Sequence, residues 1–354
     1  MAYQSVNPYD GKILKTFKEL TDNQLETALG NAATCFENWR HTTFAGRAAV
    51  VTKAAAIMRA RTDEFARPMT LEMGKLIAQA RGEVVLSADI FDYYAKNAER
   101  FLAPQHLEPG SGEAEIESSP FGVLFGVQPW NFPYYQLARF AAPNLMAGNV
   151  VMVKHAGCVP QCAIAFEKLW LEAGAPVGVY TNLLISHDQV TQVIDDPRIK
   201  GVALTGSVEA GKLVAARAGQ NLKKSTMELG GSDAFIVLED ADLDQTVKWA
   251  VWAKMNNMGQ CCVAAKRFIV VEELADRYMY SQWLIDRWKV KLGEKALLTC
   301  QNSRVMRFGW RRAPRGSLPR LTSPWCGPNW SRCRMGRCWF ATSSCRWTPI
   351  CTAA

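Results

Sequence analysis

Between residues 121 and 271 short apolar runs alternate with amphipathic stretches. No other feature of the 354-residue chain constrains its fold as tightly. The runs at 123–127, 150–153, 183–185, 202–204, 235–238 and 265–271 are too short for helices and apolar enough to be buried strands. Helical patterns at 160–173, 187–195, 208–218 and 242–255 separate most of them. Such alternation predicts an α/β fold: a parallel sheet with helices on its faces.

The first hundred residues read as helices after a short polar lead-in. Thr21 and Gln24 have the spacing of a capping box. Residues 44–61 are Ala-rich and favour helix. Ile77, Ala80, Val84, Ala88, Phe91 and Ala95 recur at three- and four-residue spacing, which puts them on one helix face. In 102–120, Pro104, Pro109, Gly110, Gly112 and Pro120 bracket an alternating stretch, which predicts an exposed hairpin or arm. A further helix is expected from 271 to about residue 289, and no internal repeat is present.

The net charge of +8 suggests nucleic acid until its distribution is read. Residues 301–354 hold ten arginines, no lysine and no acid, whereas residues 1–300 hold 31 basic and 33 acidic side chains. The body is near neutral, so a nucleic-acid face is not implied. No run of eighteen apolar residues predicts a membrane span, and the N-terminus lacks the basic and apolar regions of a signal peptide, so the expectation is a cytoplasmic protein. Periodicity stops near residue 290. Cys326, Cys333, Cys338, Cys345 and Cys351 match no common zinc spacing. A disulfide or zinc module and a basic interaction tail are two readings of 291–354. The third, favoured by the abrupt loss of acids, lysines and periodicity, is an out-of-frame, aberrant Arg/Trp/Cys-rich segment.

Five short motifs carry possible chemistry. Gly259, Gln260, Cys261 and Cys262 lie between a helix and a strand. A cysteine there is a candidate nucleophile if its thiolate is favoured, and otherwise an inert core residue. Glu228, followed by Leu229, Gly230 and Gly231, is either a general base, if burial raises its pKa, or a turn cap. Asn131, between Pro129 with Trp130 and Phe132 with Pro133, is a rigid amide donor suited to an oxyanion, or a turn residue. Lys154 ends one strand. Gly206 and Ser207, with Gly211 four residues on, open a helix whose free amides suit a pyrophosphate, although the full dinucleotide fingerprint is missing.

In this order the motifs resemble the aldehyde dehydrogenase superfamily. Its Pro-Trp-Asn-Phe-Pro, Thr-Gly-Ser, Glu-Leu-Gly-Gly and Gly-Gln-x-Cys signatures stand at 129–133, 205–207, 228–231 and 259–262. An early Glu-x-Gly-Lys stands at Glu72 to Lys75, and the resemblance covers about 1–285. Lys154, His155 and Ala156, with the stretch 228–233, are most similar to the bacterial succinate-semialdehyde branch. The resemblance implies a Rossmann-type cofactor domain (1–101 and 121–232), an oligomerisation arm (102–120) and the start of an incomplete α/β catalytic domain (233–290). It implies Cys262 as nucleophile forming a thiohemiacetal and then a thioester, Asn131 as oxyanion donor and Glu228 as base. Val127, Pro129 and Trp130 would line the nicotinamide, Lys154 and Gly157 the adenosine ribose, and Thr205, Gly206, Ser207 and Gly211 the pyrophosphate. NAD-specific members commonly place a glutamate where this chain has Gly157. Its absence removes repulsion against a 2′-phosphate and implies NADP, alongside NAD. Arg139 would grip a distal carboxylate on the aldehyde; a surface salt bridge is the plain alternative. No metal or nucleic acid is implied, and an intact member is expected to be a homo-oligomer. The family's later Glu-x-Phe-Gly-Pro motif is absent from 290–354. An inactive, truncated remnant that retains nucleotide binding is therefore the alternative.

Overall fold

Residues 3–271 and 274, with the backbone of 308–312 and 338–343, are described in a computed structural model. The chain forms two units, Met1–Gly230 and Gly231–Ala354. The first opens with strands β1 (Tyr3–Val6) and β2 (Ile13–Phe17), an antiparallel hairpin within the expected polar lead-in. β2 is largely exposed and β1 buries only Tyr3 and Ser5, so no apolar run marks them. Helices α1 (Asp22–Trp39), α2 (Phe44–Ala60), α3 (Thr62–Met73) and α4 (Ile77–Phe101) follow. Thr21 and Gln24 close the expected capping box, each side chain accepting from the other's backbone amide at 3.3 and 2.9 Å. The inward stripe of α4 holds Ala80, Val84, Ala88 and Phe91, but also Glu83, while Ile77 is exposed on the first turn. Strands β3 (Gln105–Leu107) and β4 (Ala114–Ile116) pair antiparallel, as the 102–120 pattern predicts.

Strands β5 (Val123–Gln128), β6 (Val150–His155), β7 (Tyr180–Asn182), β8 (Ile199–Thr205) and β9 (Lys224–Glu228) form one parallel sheet, ordered β7-β6-β5-β8-β9. Helices α5 (Pro133–Met146), α6 (Pro160–Ala173), α7 (His187–Asp195) and α8 (Val208–Gln220) connect them. The strand expected at 183–185 lies at 180–182 instead. Leu183 and Ile185 are buried in the following loop, where Tyr3 Oη donates to Ile185 O (2.7 Å) and accepts from Ile185 N (3.1 Å). Leu183 N still donates to Val153 O of β6 (2.8 Å), and burial continues beyond it to Ile185. Phe91, Phe125, Phe166 and Trp170 are wholly buried, with Phe91 and Trp170 rings 4.9 Å apart. Burial of each such side chain stabilises by about 2–3 kcal/mol. The strand order reverses between β5 and β8, and at such a switch point the carboxyl ends of parallel strands leave a crevice for a ligand.

In the second unit β10 (Asp233–Val237) and β11 (Ala265–Val271) are parallel and joined through α9 (Leu243–Met255). Val237, Val247, Ala250 and Val270 form its small core. The backbone of β13 (Cys338–Ser343) pairs antiparallel with β11, and that of β12 (Phe308–Arg312) pairs antiparallel with β13, in the order β10-β11-β13-β12. The helix expected to about residue 289, and the remainder of 291–354, lie outside the described residues. Among the described residues no helix is long and apolar enough to cross a membrane.

Candidate active site

The loop after β5 sits at the switch point and carries Pro129, Trp130 and Asn131. Three side chains from elsewhere in the first unit hold its backbone. Lys75 Nζ donates to Asn131 O at 2.9 Å and lies 3.9 Å from the centre of the Phe132 ring. Lys75 also pairs with Glu83, both side chains being no more than 2% exposed. Glu83 Oε1 accepts from Tyr134 N (2.9 Å) and Tyr135 N (3.1 Å), first-turn amides of α5 that no intrahelical carbonyl can reach. Burial pushes the Glu83 carboxyl up, while Lys75 and the two amides pull it down. His155 Nδ1 and Nε2 stand 3.3 Å from Gln128 O and 3.1 Å from Pro133 O. Burial outweighs both carbonyls and brings this imidazole down to about 4.

Glu72, at the other end of the Glu-x-Gly-Lys turn, accepts from Gln161 N (2.9 Å) and Cys162 N (3.2 Å) and so caps α6. The α6 N-terminus is thereby satisfied from within. It follows the segment that bears Lys154 and Gly157. The Lys154 ammonium is held below its usual range by burial, against the pull of Cys158 and Glu19, and lies 5.8 Å from the Tyr3 ring centre. Gly157 is exposed, and a Cβ added there would meet only the Tyr3 ring, at 3.8 Å. Across the switch point Ser207 is the N-cap of α8, its hydroxyl accepting from Ala210 N at 3.1 Å. That hydroxyl is committed to the cap, which leaves the first-turn backbone amides as the groups to meet a pyrophosphate. A largely desolvated lysine with no acid at 157, and a helix start at the opposite strand end, fit a dinucleotide carrying an extra phosphate. Val127 of β5 is in register with Lys154 on one side and Leu204 on the other.

Thr205 and Glu228 are register partners at the ends of β8 and β9, and Gly206 N donates to Glu228 O at 3.0 Å. The Glu228 side chain is 56% exposed, not the semi-buried acid that the general-base reading expects. It faces Arg139 instead, Nη2 to Oε1 3.4 Å. Both border a cavity of about 470 Å³ lined also by Leu124, Gln136, Phe140 and Thr226. Gly211 packs beneath the neighbouring Leu229: a Cβ there would lie 2.6 Å from Leu229 Cδ2.

The second unit holds Cys262. After α9 the chain kinks through Asn257, Met258 and Gly259 at φ 50, 57 and 78°. Three successive left-handed residues, only one of them glycine, cost about 1–2 kcal/mol at each non-glycine position. Lys266 Nζ then gathers the carbonyls of Cys261 (3.1 Å), Cys262 (2.6 Å) and Ala264 (3.2 Å). A Cβ at Gly231 would lie 2.9 Å from Cys262 O. The Cys261 thiol is raised well above its usual range, first by its hydrogen bond to the Cys262 side chain and then by burial.

Thr205, Gly206, Arg139 and Glu228 thus stand together in the first unit, with Asn131, Lys154 and Ser207 on the same strand ends. Glu83 and His155 had no assigned role in the sequence. The available signal for Glu83 was a lone acid on an otherwise apolar helix stripe.

A doubly wound parallel sheet with these loops at its switch point defines a Rossmann-type scaffold of the dinucleotide-binding kind. The aldehyde dehydrogenase family model matches residues 1–295, and the chain belongs to that family. A succinate-semialdehyde dehydrogenase, NADP(+), of Deinococcus radiodurans is 47% identical over 277 residues, 78% of this chain and 58% of the relative. A probable succinate-semialdehyde dehydrogenase, NADP(+), of Synechocystis is 44% identical over 300 residues, 84% of this chain and 66% of the relative. The crystal structure of succinic semialdehyde dehydrogenase from Streptococcus pyogenes in complex with NADP+ superposes with a TM-score of 0.77 at 48% identity, covering 78% of this chain and 61% of that one. The chain spans about three fifths of the length of these relatives.

Proposed function

We propose that the protein oxidises succinate semialdehyde to the acid with NADP+, and accepts NAD+ less well. Cys262 sulfur attacks the aldehyde carbon and the Asn131 amide donates to the oxygen that gains charge. NADP+, when bound, supplies the hydride acceptor for this chemistry. Glu228 takes a proton from the water that hydrolyses the Cys262 thioester. Lys154 with Gly157 would hold the ribose phosphate, and the start of α8 the pyrophosphate. The observation that carries the substrate assignment is Arg139 beside Glu228: a guanidinium fork at the cavity edge suits a carboxylate on the substrate.

The test is stopped-flow release of NADPH by the 354-residue protein, with succinate semialdehyde and with butanal. A stoichiometric burst that Cys262→Ala abolishes is expected. Arg139→Leu should lower kcat/KM for the semialdehyde roughly 10–100-fold, the value of a charged hydrogen bond, and that for butanal less than about threefold. Equal losses on both aldehydes would remove Arg139 from the substrate site. A second reading is favoured by the family match stopping at residue 295 with 59 residues still to follow: a nucleotide-binding remnant without turnover. NADP+ binding with no burst is its signature.

A further inference from the structure

We propose that Lys75, Glu83 and His155 are positioning residues that fix Asn131 for its role at the oxyanion; the inference rests on the dehydrogenase reading and extends it to side chains that touch neither substrate nor cofactor. These three side chains reach five backbone groups between residues 128 and 135: Lys75 donates to Asn131 O, Glu83 accepts from the amides of Tyr134 and Tyr135, and the neutral His155 ring donates its single N–H to one of the two carbonyls it faces, Gln128 O and Pro133 O. The side chains come from the turn after α3, from α4 and from β6, so they tie the loop to three separate parts of the first unit. Lys75 bonds the very peptide of the residue that bears the donor amide, and its ammonium lies over the next ring. Glu83 anchors the helix start immediately beyond, and the single N–H of His155 bonds one of the two carbonyls that bracket the loop.

Stability alone does not call for this arrangement. A buried ion pair is commonly no more stabilising than a well-packed apolar pair of the same volume. What charged groups add is direction: they set where individual carbonyls and amides point. An oxyanion donor needs that control, because a displacement of about 1 Å costs on the order of 100-fold in rate.

The experiment compares the full chain, Lys75→Met and Lys75→Met/Glu83→Leu by hydrogen-exchange mass spectrometry, thermal unfolding, NADP+ binding and single-turnover NADPH release. In Lys75→Met, exchange across 129–136 should rise at least about tenfold with β8 and α8 unchanged. NADPH release should fall about 100-fold, with the Kd for NADP+ moving less than about threefold. The double variant should regain part of the lost thermal stability, because an apolar pair refills the space while the amides of Tyr134 and Tyr135 lose their acceptor, and should keep both the loop and the rate defects. Wild-type exchange at 129–136 in Lys75→Met overturns the proposal. So does a rise spread evenly over the unit, or a double variant that recovers rate together with stability. If the wild-type protein binds NADP+ but releases no NADPH, the dehydrogenase reading falls, and the exchange pattern still decides whether the ion pair holds the loop.

Discussion

At Glu228 an exposed carboxylate faces a guanidinium 3.4 Å away, and the two groups have separable duties in the proposed reaction. Acylation of Cys262 needs no base at Glu228, whereas hydrolysis of the thioester does. Glu228→Gln should therefore keep the NADPH burst and slow steady-state turnover about 100-fold or more. Loss of the burst together with turnover would assign the carboxylate to nucleophile activation or to folding. The candidates at 131, 228 and 262 were singled out by small, rigid or apolar neighbours, and their roles came from the order of the motifs and the family resemblance. Glu83 and His155 were not legible. Their partners are backbone groups 51 and 22–27 residues away, and only the tertiary structure brings such groups within bonding distance. Removing Lys75 alone leaves Glu83 buried without its cation, a change that costs about 3–5 kcal/mol.

At the level of elements, hydrophobic period and capping chemistry located most of the sheet and its helices. Helices α6 and α7 and strand β11 occupy the spans predicted for them, because each is bounded by a proline, a capping serine or a change of period. Strand β7 was displaced because burial continues past its last paired residue. The β1–β2 hairpin was hidden because β2 is largely exposed and β1 buries only Tyr3 and the polar Ser5, which leaves no apolar run to declare it. The turn before β10 is the element on which the second unit's cysteine depends. Gly231→Ala would push a methyl against Cys262 O at 2.9 Å and Asp233 Oδ1 at 2.8 Å. The backbone contact cannot be relieved by a rotamer change. A destabilisation of about 1–3 kcal/mol is expected in urea unfolding, with slower alkylation of Cys262. A wild-type midpoint and alkylation rate would show that the turn has slack.

For the molecule as a whole, acid stability depends on a residue at its interior. His155 is buried neutral, with a folded pKa of about 4 against 6.5 when unfolded. Between those values the unfolded chain binds the extra proton, so its stability contribution is complete above about pH 6.5 and is lost as pH falls towards 4. The loss from pH 7 to pH 5 is about 2 kcal/mol. His155→Gln should flatten that part of the stability profile, and an unchanged slope would place the titration elsewhere. The same unit is closed by a contact of long reach, Tyr3 Oη with the backbone of Ile185, 182 residues apart in sequence. At about 5–20 residues per second the ribosome needs roughly 10–40 s to deliver the second partner after the first. For that interval β1 of the growing polypeptide waits with its aromatic anchor unclaimed, so the order of synthesis, and not only the strength of the contact, sets when this strand can dock.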